Sequence, residues 1–131
     1  MLKHVLITGD MHSRIKNRLQ YIKDMMPEYL PEETAVIVLG DFGANFYLSK
    51  HDWKIKHHAV KFGYTIYALR GKHEQRASLV KNMEKVYDNF VHGYVYMEQE
   101  FPNIKYFADE VAEYNIMGKE ILCIPGAYSV D

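Results

Sequence analysis

Four residues of this chain can ligate a metal or move a proton, and each follows closely on a short apolar run: Asp10, His12, Asp41 and His73. Two carboxylates with an imidazole suit a divalent metal of intermediate hardness, such as Mn, Fe or Zn. An imidazole with a pKa near neutrality can also donate a proton to a leaving group. The runs before them end in Gly9, Gly40 and the pair Arg70-Gly71. Glycine there lets the backbone turn sharply and come close to a ligand.

The runs themselves are His4–Thr8, Ala35–Leu39 and Tyr64–Leu69. Short, β-branched and closed by glycine, they read as buried parallel strands. Ile15, Leu19, Ile22 and Met26 recur at helical spacing between the first two, and Pro27 and Pro31 close that helix and its loop. A second helix is expected from about Lys50 to Phe62 and a third from about Gln75 to Val86. Residues 110–124 alternate in the manner of a strand pair that turns at Met117-Gly118-Lys119, a C-terminal β-hairpin. Strands alternating with helices define an α/β fold with right-handed crossovers. In an open α/β sheet, ligands gather at the carboxyl ends of the strands. Asp10, His12, Asp41 and His73 would therefore share one crevice.

Gly9-Asp10-Met11-His12, Gly40-Asp41-Phe42-Gly43 and Arg70-Gly71-Lys72-His73-Glu74 resemble, in order and spacing, the first three motifs of the calcineurin-like metallophosphoesterases. The resemblance runs from residue 2 to the end of the chain. It implies half of an αββα sandwich, a mostly parallel sheet with flanking helices, in a single truncated domain spanning 1–131. It also implies a site of two metals about 3.5–4 Å apart. By this resemblance Asp10 and His12 bind the first metal, Asp41 bridges both, and His73 stabilises the transition state or protonates the leaving oxygen.

The chain departs from the family in three places. Lys72 stands where the family has a metal-ligating Asn, and a charged ammonium is a donor only. Ala44 stands where some relatives carry an Asp that orients the catalytic histidine. The later Gly-His and Gly-His-x-His motifs, which supply three more ligands, have no counterpart in these 131 residues. The first metal keeps three protein ligands and the second only Asp41.

Composition narrows the classes. Sixteen Lys+Arg against seventeen Asp+Glu give a net charge of −1, so nucleic acid is not the expected main ligand. One cysteine, Cys123, fits a reducing compartment and reads as an inert core residue. No apolar run approaches a membrane span, so the expected location is cytoplasmic. His51, His57 and His58 offer a second metal site, and Lys50, Lys54, Lys56 and Lys61 a basic patch, but a solvated helix face explains both groups. The aromatics from Tyr87 to Tyr114 fit core and interface packing better than base stacking.

Two functions follow. With the second metal's ligands missing and one sheet face expected to be bare, the first is a metal-binding, non-catalytic protein that acts by contact. It would use that uncovered face to bind a protein partner or a second copy of itself. An inhibitor of a host protein, such as the anti-CRISPR inhibitors of effector nucleases in phage or mobile elements, is one form of it. The alternative is a metal-dependent phosphoesterase, of the Ser/Thr protein phosphatase type, with an incomplete or trans-completed site and His73 as its catalytic residue.

Overall fold

The computed structural model describes residues 1–9, 15–40, 50–70 and 82–126, with only the backbone of residues 50–52. In chain order the elements are β1 (His4–Thr8), α1 (Ile15–Met25), β2 (Thr34–Leu39), α2 (Lys50–Val60), β3 (Thr65–Leu69), β4 (Met83–Asp88), β5 (Gly93–Glu98), β6 (Ile104–Tyr106), β7 (Ala112–Ile116) and β8 (Lys119–Cys123). Six strands form one sheet in the order β1-β2-β3-β6-β5-β4. The first four in that order run parallel, and β5 and β4 add antiparallel. The hairpin β7–β8 is a separate two-stranded sheet. The three expected strands, the first two helices and the hairpin are all present.

The third expected helix is not what residues 83–86 form. They belong to β4, paired residue for residue with β5. Residues 75–81 of that expected helix lie outside the described residues. Met, Glu, Lys and Val carry no strong local veto against a helix, and pairing with a distant partner strand decides the outcome.

Three layers result. On one face of the large sheet, Ile15, Leu19 and Ile22 of α1 and Ile55 and Ala59 of α2 pack on Val36, Val38, Ile66, Ala68 and Ile104. On the other face, Ala35, Ile37, Tyr67 and Val95 pack beneath Tyr114, Ile116 and Cys123 of the hairpin. The inner face, expected to be bare, is thus largely covered: Ile37 is 5% exposed. It is open only toward the strand ends, where Ile7 is 62% exposed and Leu39 47%. The hairpin turns on Met117 and Gly118, with φ of 53° and 82°. Two successive residues at positive φ give the primed turn that matches strand twist. Asn115 Oδ1 accepts the Gly118 N–H at 3.1 Å and braces it.

One polar cluster ties the sheet together. Asp88, at the end of β4, accepts from Tyr67 Oη at 2.9 Å and from Lys105 Nζ at 2.7 Å through Oδ2. Its Oδ1 accepts the backbone N–H groups of Phe90 and Val91 at 2.8 and 3.2 Å. Burial alone would raise the carboxyl pKa; Lys105, Tyr67 and the Val91 N–H outweigh it and hold Asp88 below the ordinary carboxylate value. Burial and the same carboxylate push the Tyr67 phenol far above its usual range.

Asp88→Asn is expected to cost about 3 kcal/mol, the low end for breaking a buried ion pair because Lys105 is partly exposed. Since the folded pKa lies below the unfolded one, this stabilisation is complete above about pH 4 and drains away as pH falls through the folded value. Urea melts at pH 7 and pH 3 check both: the gap between wild type and variant should be widest at pH 7.

Candidate metal centre

Parallel pairing brings three strand ends to one edge. Thr8 registers with Val38, and Leu39 with Leu69. The Gly40 N–H donates to Leu69 O at 2.9 Å, which carries the β2–β3 ladder one step past the strands. Gly40 holds φ of 81°, a left-handed conformation that a side chain resists. Neighbouring strands lie about 4.8 Å apart, so the ends of β1, β2 and β3 fall within about 10 Å of one another.

Asp10, His12, Asp41 and His73 lie outside the described residues, as do Ala44 and Lys72. What the structure describes is where each leaves the sheet. Asp10 and His12 follow Thr8 by two and four residues, Asp41 follows Leu39 by two, and His73 follows Leu69 by four. At 3.8 Å per residue, all four are attached within reach of the same edge.

Among the described residues, two buried polar atoms at this edge have no hydrogen-bond partner, the Thr8 hydroxyl and Arg70 Nε. A buried donor without a partner costs about 1–3 kcal/mol, so an oxygen-bearing ligand or ordered water at this edge would be stabilising. The sequence motifs gave Arg70 no role beyond its place in the third motif. Only its position, half-buried at the end of β3, marks it. The last described segment also returns here, with the Gly126 N–H donating to Arg70 O at 2.8 Å. The donor set of Asp10, His12 and Asp41 fits one divalent ion. Lys72 adds no lone pair for a second.

Of the histidines and lysines expected on α2, the side chains of Lys50 and His51 lie outside the described residues, His58 and Lys54 are exposed, and two others make structural contacts. His57 stacks on Trp53 with ring centroids 4.9 Å apart and planes 8° from parallel. Trp53 in turn donates to Glu100. Lys56 is buried and paired with Glu98, so it does not belong to a solvated basic face. Among the described residues no group of three His, Cys, Asp or Glu can hold a metal. Cys123 is buried on the hairpin's inward face, and burial pushes its thiol pKa up. Such a thiol is unreactive. Among the described residues no helix is long and apolar enough to cross a membrane.

A mostly parallel sheet with helices on one face and an antiparallel hairpin on the other defines an α/β domain. Residues 3–131 match the family model for the calcineurin-like phosphoesterases, and the chain belongs to that family. Neither the curated proteins nor the solved structures contain a match. Members of the family typically bind divalent metals.

Gly40→Ala is expected to cost about 1–2 kcal/mol through the left-handed backbone alone. Thermal melting checks this. A fall in metal affinity alongside it would show that the β2 end positions Asp41.

Proposed function

We propose that this chain is a metal-dependent phosphoesterase whose centre lies at the common carboxyl edge of β1, β2 and β3. Asp10, His12 and Asp41 hold one divalent ion, Mn, Zn or Fe, and His73 gives a proton to the leaving oxygen. The observation that carries this reading is the in-register parallel alignment of three strands, each leading into one family motif. When bound, the ion supplies Lewis-acid polarisation of the phosphoryl oxygen. The protein's part is to hold the carboxylates and imidazoles on segments that leave the same end of one sheet. The unpartnered Arg70 Nε and Thr8 hydroxyl are suited to receive oxygens at the same edge.

A second reading, action by contact with another protein, draws on a different observation. The outer face of the hairpin exposes Val111, Met117, Leu122 and Ile124, and Ile7 and Leu39 are open on the inner face of the large sheet. Exposed apolar side chains on two surfaces could meet a partner where they cluster into a patch. No feature of the described residues selects a CRISPR effector nuclease, or any other partner, to cover it.

Hydrolysis of p-nitrophenyl phosphate with added Mn²⁺ decides between them. Turnover that Asp41→Asn lowers by at least about 100-fold is the expected result. No turnover with metal still bound moves the assignment to protein contact. Asp10→Ala combined with His12→Ala should weaken Mn²⁺ binding by more than about 100-fold, beyond what loss of an outer-shell partner costs. It should also lower Tm in the presence of Mn²⁺. Unchanged metal content in that double variant would overturn the ligand assignment.

A further inference from the structure

The large sheet ends in two edge strands, and they are built differently. β4 carries Glu84, Lys85 and Asp88, a charged edge of the kind that discourages pairing with another chain. β1 reads His4-Val5-Leu6-Ile7-Thr8, with no carboxylate, lysine, arginine, proline or glycine. β2 pairs with one side of it, and among the described residues no strand pairs with the other. An apolar edge with no such device is a template for a further strand. The Lys3 N–H donates to Glu33 O at 2.7 Å, so the odd-numbered residues here turn their backbone groups toward β2. By the alternation of a strand, His4, Leu6 and Thr8 turn theirs to the open side.

The strand that fits this edge is a second β1. Antiparallel pairing about a two-fold axis at Leu6 sets His4 against Thr8 of the other copy and Leu6 against Leu6, so every outward N–H and C=O has a partner. Val5 then meets Ile7 of the other copy as a non-hydrogen-bonded pair, with Cα atoms about 4.5 Å apart and side chains close. Val5 packs with the inner-face cluster, and Ile7, 62% exposed on that face, gains a cover. Leu6 packs on the helix face and meets its counterpart there. No like charges are opposed, and a net charge of −1 per chain adds little repulsion between copies. We propose that β1 is a homodimer edge, through which two copies join their large sheets in one two-fold arrangement, the commonest symmetry of soluble oligomers. The paired strands run in opposite directions, so their carboxyl ends lie at opposite ends of the pair. Each copy keeps its own candidate metal edge, and neither completes the other's. The inference is independent of the metal reading above.

Light scattering on the 131-residue chain from about 5 to 500 µM measures the dimer, for wild type, Ile7→Lys and His4→Pro. Ile7→Lys sets a charge against Val5 of the other copy, and His4→Pro removes an outward donor at the first residue of the strand, where proline is tolerated. The expected result is a wild-type dimer whose dissociation constant rises at least about tenfold in each variant. Residue-resolved amide exchange on the wild type gives a second readout that needs no substitution. The His4, Leu6 and Thr8 N–H groups should exchange more slowly as concentration rises, while those of Val5 and Ile7, already bonded toward β2, change less. A wild type that stays monomeric across the range, or a dimer that both variants leave intact, overturns the proposal. So does a dimer whose exchange slows on the hairpin β7–β8 and not on β1, which assigns the interface to the hairpin's exposed outer face. If Ile7→Lys fails to fold, His4→Pro and the wild-type exchange pattern decide.

Discussion

Everything proposed for this protein depends on the parallel pairing of β1, β2 and β3 in one register. Parallel strands must be buried on both faces to be stable, and the connections between them must cross over a face of the sheet. Here α1 and α2 cover one face and the hairpin β7–β8 most of the other. That burial has a chemical consequence. Because the strands run the same way, their carboxyl ends coincide, and residues far apart in sequence leave the sheet within about two strand spacings of each other. An antiparallel arrangement of the same three segments would send the middle motif to the opposite edge.

The second requirement is a sheet whose far side does not shift. β6 is only three residues long and β5 and β4 are joined to it antiparallel, so hydrogen bonding alone holds this flank lightly. Asp88 compensates by linking the end of β4 to Tyr67 on β3 and Lys105 on β6. Tyr67 also stacks against Phe90 and Phe107, at 6.1 and 5.7 Å between ring centroids. Tyr114 of the hairpin packs on Phe107, accepts the Ala108 N–H and donates to Tyr94 O. One buried carboxylate and four aromatic rings thereby couple the two sheets to the strand that carries the third motif.

The site itself combines an inherited scaffold with an altered charge pattern. Membership of the calcineurin-like phosphoesterase family accounts for the glycine-acid and glycine-x-histidine motifs. It does not account for Lys72. The ammonium of a lysine repels cations and attracts anions, whereas the Asn of the family motif offers a lone pair. Arg70, half-buried just after β3, has an Nε with no hydrogen-bond partner among the described residues.

Much of this was legible in the sequence, and the reasons differ by element. The β-branched runs before Gly9, Gly40 and Arg70-Gly71 marked the three parallel strands, although β1, at the sheet edge, is only half-buried where full burial was expected. The Met117-Gly118 turn and its flanking alternation marked the hairpin for equally local reasons. What local pattern does not encode is long-range pairing. Residues 83–86 read as helix and form β4, since β5 was the deciding partner. Lys56 read as one of a solvated row and is buried against Glu98. The inner sheet face read as bare and is largely roofed by Tyr114, Ile116 and Cys123. The sequence by itself determined the chemical inventory, the motif order and the period of each segment, because these are properties of neighbouring residues. The tertiary structure alone decided which strand ends meet, which charges are paired and which apolar face is covered, because each depends on contacts between segments distant along the chain.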